Sequence, residues 1–148
     1  MFKMNSENKK ITSKDIEIFE AKHGLHLPLE YKTFLLEFNG GYPEKSNFII
    51  SDDEGVSLVN KFYGIGEESG DLGETFEILD GEIPEGFISI ADDPAGNEIC
   101  LGIEESGYKE KVYFWRHDME SDSEMDNMFL LAEDFKTFLN KLYGDNDE

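Results

Sequence analysis

Two segments of the chain carry apolar side chains at helical spacing. Their members lie at positions i, i+3, i+4 and i+7: Tyr31, Phe34, Leu35 and Phe38 in the first, and Phe135, Phe138, Leu139 and Leu142 in the second. An apolar stripe of this period is typical of a helix that packs one side against a core. The first helix is expected to open at Pro28 and to end at residues 39–41, Asn-Gly-Gly, which accept left-handed backbone conformations.

Two further helices are predicted from the residues that begin and end them. Thr12 or Ser13 can cap a helix that runs to about residue 23, where a glycine follows. Asp71 can cap a short helix that ends before the glycine at residue 81.

The middle of the chain changes from helical to strand-like patterns. Residues 47–50 and 56–59 flank a turn-rich acidic segment and predict a hairpin, and a further strand is expected around residues 61–65.

Three strands with stronger signals follow, at residues 87–91, 98–103 and 111–116. In the second of them apolar side chains alternate at Ile99, Leu101 and Ile103, as in a strand with one buried face. The connections are short and rich in turn residues, which favours antiparallel pairing over crossovers. We therefore expect an α+β fold, in which N-terminal helices and a C-terminal helix pack against an antiparallel, meander-like β-sheet.

Composition narrows the choice of partner. The 148 residues include 13 basic and 34 acidic side chains, a formal charge of -21, and 39% of them are hydrophobic. That apolar content is too high for a disordered chain, and the length suits a single domain over residues 1–148, with a core from about 12 to 143 and a frayed acidic tail from 144. Phosphate contacts need basic groups, so nucleic acid and an anionic membrane surface are excluded as partners. The charge fits a cationic partner or serves solubility alone.

Cysteine use and apolar run length indicate the compartment. The single cysteine, Cys100, cannot form an internal disulfide, which favours a reducing environment. The first residues contain no apolar segment of a secretory signal, and the longest apolar runs are far shorter than the ~20 residues of a membrane span. The sequence predicts a soluble cytoplasmic protein, and none of its features defines an oligomeric state.

The usual catalytic and cofactor motifs are absent from the sequence. Gly64, Gly66 and Gly70 are spaced one residue too widely for a dinucleotide fingerprint, and neither a P-loop nor a nucleophile elbow is present. Cys100 lies within a predicted strand, where a thiol usually behaves as a small buried hydrophobe. We therefore expect no catalytic residue and no cofactor.

Metal-ligand spacing is also weak. Glu20 and His23 match one half of a di-iron motif that needs two such pairs on four long helices. The acidic turns at residues 52–55 and 92–97 could hold a hard cation through oxygen ligands, but an Asp-rich turn more often bonds its own backbone. We predict no metal site.

One acidic segment has a regular pattern. Every second side chain from residue 118 to residue 126 is a carboxylate: Asp118, Glu120, Asp122, Glu124 and Asp126. In extended backbone these groups project from one side. Two interpretations stay open: a solvated loop before the last helix, or an acidic rim that a basic partner neutralises.

Four motifs occur in order along the chain. The first is Leu27-Pro28-x-Glu30-Tyr31-Lys32-x-Phe34-Leu35, closed by Asn39-Gly40-Gly41. The second is Ile83-Pro84-Glu85-Gly86-Phe87-Ile88-Ser89-Ile90-Ala91-Asp92 with Gly96-Asn97-Glu98-Ile99-Cys100-Leu101. The third is Val112-Tyr113-Phe114-Trp115-x-His117, and the helix at 135–142 closes the series. Over about residues 12–143 this set resembles the SUKH superfamily, which includes the yeast cell-wall assembly regulator and many bacterial immunity proteins.

The resemblance implies an α+β domain that binds proteins and has no known catalytic centre. In bacteria it implies a cytoplasmic antidote to a polymorphic toxin, often a nuclease, encoded beside it. We therefore expect a non-catalytic immunity protein whose partner is a cognate toxin with a basic nuclease domain. Two alternatives stay open: an intracellular regulatory or scaffold domain like the fungal relatives, and a hydrolase that uses Asp92, Asp93 and His117.

The expected contact surface combines carboxylates with an exposed aromatic side chain, because interfaces draw energy from a buried anchor and specificity from charge. Two segments supply this mixture: Asp92, Asp93 and Asn97 on one turn, and Trp115, His117, Asp118 and Glu120 at the end of the last predicted strand. The other interpretation places Trp115 in the core and leaves the acidic residues to serve solubility.

Overall fold

The computed structural model describes residues 2–119, 123 and 125–145. Its helices in this part of the chain are α1 (Ser13–His23), α2 (Leu29–Phe38), α3 (Leu72–Ile78) and α4 (Phe135–Lys141). None of these helices has both the length and the apolar character that crossing a bilayer requires.

The predicted helix ends are confirmed. The Thr12 hydroxyl accepts a hydrogen bond from the backbone N–H of Asp15, and the Asp15 carboxylate accepts one from the backbone N–H of Thr12, so the two residues cap α1 reciprocally. The Asp71 carboxylate caps α3 by accepting a hydrogen bond from the backbone N–H of Glu74. Gly24 and Asn39 close α1 and α2 in left-handed conformations, with φ of 65° and 40°.

The strands in the described residues are β1 (Met4–Asn5), β2 (Tyr42–Pro43), β3 (Asn47–Ser51), β4 (Gly55–Leu58), β5 (Lys61–Phe62), β6 (Phe87–Asp92), β7 (Glu98–Gly102), β8 (Val112–Trp115) and β9 (Met128–Ala132). β5 to β9 form one antiparallel sheet in sequence order, which confirms the predicted meander. β3 and β4 form a separate hairpin whose first strand contacts β9, and β1 pairs with β2.

The helices pack against one face of the five-stranded sheet. Phe34 of α2 lies 4.9 Å from Phe135 of α4 and 5.1 Å from Phe62 of β5, measured between ring centroids. Apolar residues of the two helical stripes and of the central strands belong to this cluster, with Phe38 and Leu139 partly buried at its edge: Tyr31, Phe34, Leu35, Ile88, Ile90, Ile99, Leu101, Phe114, Phe135, Phe138 and Leu142. Both amphipathic helices therefore face the sheet as their spacing predicts.

The opposite face of the sheet is buried too. All residues of β7 are buried, although the alternation of Ile99 and Leu101 predicted one buried face. The reason is a second apolar cluster of Phe87, Cys100, Trp115 and Met128 on that side. Partly buried neighbours pack against this cluster: Leu79, Ile83, Tyr108, Tyr113 and Met125.

The two edge strands of the five-stranded sheet differ from the prediction, and the short strands β1 and β2 have no counterpart in it. β9 was not assigned from the sequence, because its run of apolar residues shows no alternation; it closes the sheet by pairing Met128 with Trp115 of β8. The strand expected at residues 61–65 is limited to Lys61–Phe62, and Gly64 forms only an isolated bridge with Asp71.

Candidate partner-binding site

Asp93 organises the turn that follows β6. Its Oδ1 accepts hydrogen bonds from the backbone N–H groups of Ala95 (3.0 Å) and Asn97 (2.8 Å). Its Oδ2 accepts one from the Asn97 side-chain amide (3.1 Å) and one from Ser57 Oγ of β4 (2.8 Å). The acidic turn therefore bonds its own backbone, as its composition suggested, and Asp93 fastens the turn to the hairpin.

Asn97 and His117 join this turn to the end of β8. Asn97 Oδ1 accepts a hydrogen bond from the backbone N–H of His117 at 3.1 Å, and His117 Nε2 lies 2.8 Å from the carbonyl oxygen of Ala95. Because a carbonyl oxygen can only accept, this ring nitrogen carries a proton. The two segments combined in the sequence analysis are therefore in contact.

Three of the predicted contact residues are turned inward. Trp115 is 7% exposed, and Asp93 and Asn97 are each 5% exposed. Of the two interpretations of Trp115, the structure shows the core position and not the exposed anchor, because its place on β8 lies on the buried second face of the sheet. The polar atoms of Asp93 and Asn97 form hydrogen bonds within the turn and to Ser57 and His117, so these two side chains hold the surface loops in place and are not themselves exposed.

Arg116 links the hairpin to the end of β8. Its Nη1 lies 3.0 Å from Oε1 of Glu54 at the hairpin tip, and its Nε lies 3.7 Å from Oδ1 of Asp118. The Asp118 side chain is 60% exposed, and His117 is also exposed. The carboxylates of the hairpin tip therefore lie next to the residues that follow β8, along one edge of the molecule.

The remaining predicted residues differ in their accessibility. Asp92 is half-buried, its Oδ1 accepts a hydrogen bond from the Asn60 side-chain amide at 3.2 Å, and burial raises the pKa of its carboxyl. Glu120 lies outside the described residues, as do Asp122 and Glu124 of the alternating acidic segment.

Glu98 is a buried carboxyl group that the sequence analysis did not single out. It is 8% exposed and accepts hydrogen bonds from Tyr63 Oη (2.6 Å) and Ser89 Oγ (2.5 Å). Burial raises the pKa of Glu98 to about 7, and the negative charges of Asp92 and Asp93 act in the same direction. A signal was present in the sequence, since Glu98 shares its strand face with Cys100 and not with Ile99 and Leu101.

The sequence did not predict the exposed apolar residues on the outer face of the β3–β4 hairpin. Ile49, Val56 and Leu58 are 62%, 64% and 37% exposed. Ile49 sits within a continuous apolar run, where alternation gives no indication of which side faces solvent.

Nucleophilic or metal chemistry in this region would use its thiol and its carboxylates. Cys100 is fully buried, as predicted, and burial raises the pKa of its thiol, which keeps it neutral. Within the part of the chain that the structure describes, no three His, Cys, Asp or Glu side chains are grouped so that they could hold a metal ion. What the region offers is charge, backbone groups and apolar surface, which suit binding to another protein.

The molecule is thus an α+β domain with an acidic, partly apolar edge. A model of the SMI1 / KNR4 family (SUKH-1) matches residues 10–141, and the chain belongs to this family. The chain is similar to the SPbeta prophage-derived uncharacterized protein YokK of Bacillus subtilis (strain 168), with 27% identity over 145 residues that cover 86% of this chain and 72% of that protein. The family match confirms the resemblance carried by the four sequence motifs.

Proposed function

We propose that this chain is a non-catalytic immunity protein that binds and neutralises a cognate toxin, a nuclease encoded next to it. The observation that carries the proposal is the acidic edge, where Glu54 of the hairpin tip and Asp118 both contact Arg116 and the exposed Asp52 and Asp53 precede Glu54 in the same turn. Membership of the SUKH-1 family supports a protein-binding role.

Charge gives the proposal its physical basis. A nuclease grips phosphates with exposed basic groups, and a protein of net charge -21 attracts such a surface from a distance. Electrostatic attraction of this kind raises the association rate and can cover the groups that the nuclease needs for its substrate.

The alternatives are less well supported. A hydrolase built on Asp93 would need a carboxylate free to react, but both oxygens of Asp93 already accept hydrogen bonds from four donors. A housekeeping regulator is a second candidate within the same family. The similarity to a prophage-derived protein favours a gene that travels with mobile DNA, which suits a toxin antidote better.

The direct test is co-expression with the protein encoded by the neighbouring gene. We expect that gene product alone to stop growth, the present chain to restore growth, and the two purified proteins to form a stable complex. Normal growth with the neighbouring gene product alone, or no complex between the purified proteins, would contradict the proposal.

A matched pair of charge variants tests the role of the acidic edge. Reversing Asp53 and Asp118 together to lysine should slow association about tenfold at low salt and flatten its salt dependence. The control reverses Glu17 on α1 and Glu74 on α3, which are also exposed and change the net charge equally. Equal slowing in both double variants would assign the effect to net charge alone and remove the acidic edge from the proposal.

A further inference from the structure

We propose that the outer face of the β3–β4 hairpin, formed by Ile49, Val56 and Leu58, is the anchor on which a basic protein partner docks. This hairpin face is the apolar centre of the proposed interface. The partner is a protein whose own contact surface has an apolar centre with lysine and arginine side chains around it. The identity of that partner as a toxin rests on the function proposed above.

The register of the hairpin forces these side chains outward. Ile49 pairs directly with Val56, so the two lie on the same side, and Leu58 follows Val56 by two residues. The opposite side is taken by Phe48, whose ring packs 5.7 Å from Phe114 and 5.8 Å from Phe138. Because Phe48 is required in the core, the hairpin face cannot turn inward without breaking that packing.

The concentration of apolar surface on this hairpin is unusual in the molecule. The other large apolar residues that are exposed in the described part lie one to an element: Ile18 on α1, Leu29 on α2, Tyr42 on β2, Ile78 on α3 and Leu130 on β9. Single exposed apolar residues are ordinary, whereas a group on one face marks an interaction site.

Besides the packing of Phe48, side-chain contacts from β4 and from the hairpin tip fix the hairpin to the body of the molecule. Ser57 Oγ donates a hydrogen bond to Asp93 Oδ2 at 2.8 Å, and Glu54 Oε1 lies 3.0 Å from Arg116 Nη1. A surface that is rigid before binding loses less conformational entropy when it docks. These contacts also explain why Asp93 matters to the surface although it is buried.

The charges around the hairpin face define the partner. Asp52 and Asp53 are exposed at the tip, and Asp118 is exposed beside it. A second copy of this chain would bring another net charge of -21 to the same place, so self-association is opposed by repulsion. A partner with basic groups around an apolar contact gains from both features. The hairpin face thus supplies the anchor that the buried Trp115 does not.

The test uses the purified full chain and the protein encoded by the neighbouring gene. Ile49→Thr and Val56→Thr are combined, because threonine keeps the branched side chain that suits a strand. We expect about tenfold weaker binding, expressed mainly as faster dissociation. The control is Ile78→Thr on α3, which removes a side chain of similar exposure (66%) and should change binding by no more than about twofold.

A second measurement does not depend on any variant. In the complex of the parent chain, backbone amides at residues 47–58 should exchange with deuterium more slowly than in the free chain. Unchanged exchange at residues 47–58 in the complex would overturn the proposal that the hairpin face is the docking site. Binding of the double variant as tight as that of the parent chain would do the same. Neither result would contradict the proposed function. Absence of binding by the parent chain would overturn both proposals. A dimer of the parent chain that the double variant dissociates would assign the face to self-association and also overturn the proposal.

Discussion

Glu98 places a carboxyl group inside the sheet, where Tyr63 and Ser89 donate hydrogen bonds to it. Burial raises its pKa to about 7 from an ordinary value of 4.5. Between these two pH values the folded protein holds a proton that the unfolded chain has released. The contribution of Glu98 to stability is therefore fully present below pH 4.5 and is lost as the pH rises to about 7.

Glu98→Gln should separate this contribution from those of the other acidic groups. Glutamine stays neutral and its carbonyl oxygen can still accept from Tyr63 and Ser89. We expect the free energy of unfolding of Glu98→Gln, relative to the parent, to rise by up to about 3 kcal/mol between pH 4.5 and pH 8. Urea unfolding at a series of pH values measures the difference, and a difference that is constant with pH would contradict the prediction.

Cys100 gives a second prediction at the residue scale. Its thiol is fully buried and burial raises its pKa, so a thiol reagent should react only when the sheet opens. In the native protein, labelling of the Cys100 thiol should be no faster than unfolding. In urea, where the chain is unfolded, labelling should be complete within the mixing time. Rapid labelling without denaturant would show that the second face of the sheet is accessible.

At the scale of structural elements, the contact between the 92–97 turn and the β3–β4 hairpin depends on the Asp93 side chain. Asp93→Ala leaves the backbone N–H groups of Ala95 and Asn97 and the hydroxyl of Ser57 without their acceptor. Donors in buried or partly buried positions that lose their acceptor carry a desolvation cost, so we expect a loss of about 2–4 kcal/mol in the free energy of unfolding.

The matched control for this variant is Asp53→Ala at the exposed hairpin tip, which should change stability by less than about 0.5 kcal/mol. Urea denaturation compares the two variants, and hydrogen exchange should show faster opening of residues 47–58 in Asp93→Ala alone. Equal midpoints for both variants would mean that the turn does not hold the hairpin.

Helices were the most predictable elements, because their period and their caps are local signals. Thr12, Asp71 and Gly24 act where the sequence placed them. β9 was missed because a strand whose apolar residues are continuous shows no period, and its pairing with β8 depends on residues far along the chain. Tertiary pairing, rather than local preference, makes this segment a strand.

The candidate site was predictable in its location but not in its composition. The contact between the 92–97 turn and the end of β8 follows from adjacent antiparallel strands, and the structure shows it. The sequence left the exposure of Trp115 open, because no local pattern reveals that a second apolar cluster covers its face of the sheet. The outward direction of Ile49 and Val56 likewise depends on where Phe48 packs, which no local pattern reveals.

At the scale of the whole molecule, charge sets both binding and stability. With 34 acidic and 13 basic side chains, at least 21 acidic side chains (34 less 13) cannot have a basic partner of their own. The ion pairs described are mostly at the surface, as between Lys109 and Glu104 at 3.0 Å, and such pairs contribute little. Mutual repulsion of the excess carboxylates therefore opposes the compact state, while the same field attracts a basic partner.

Added salt should consequently stabilise this protein. Sodium chloride shortens the Debye length from about 20–30 Å near 0.02 M to below 10 Å at 0.5 M, so it screens repulsion between distant carboxylates. The few favourable surface pairs are screened as well, but acidic side chains outnumber basic ones by 21 (34 less 13), so relief of repulsion is the larger effect. We expect the melting temperature at pH 7.5 to rise by several degrees over this range, since about 1 kcal/mol shifts it by roughly 2–4 °C in a chain of this size.

Potassium chloride should raise the melting temperature equally, because the effect depends on ionic strength. An uncharged osmolyte matched in osmolality serves as the control. A melting temperature that stays constant or falls with salt would show that paired charges, not the excess of carboxylates, dominate the electrostatic energy of the fold.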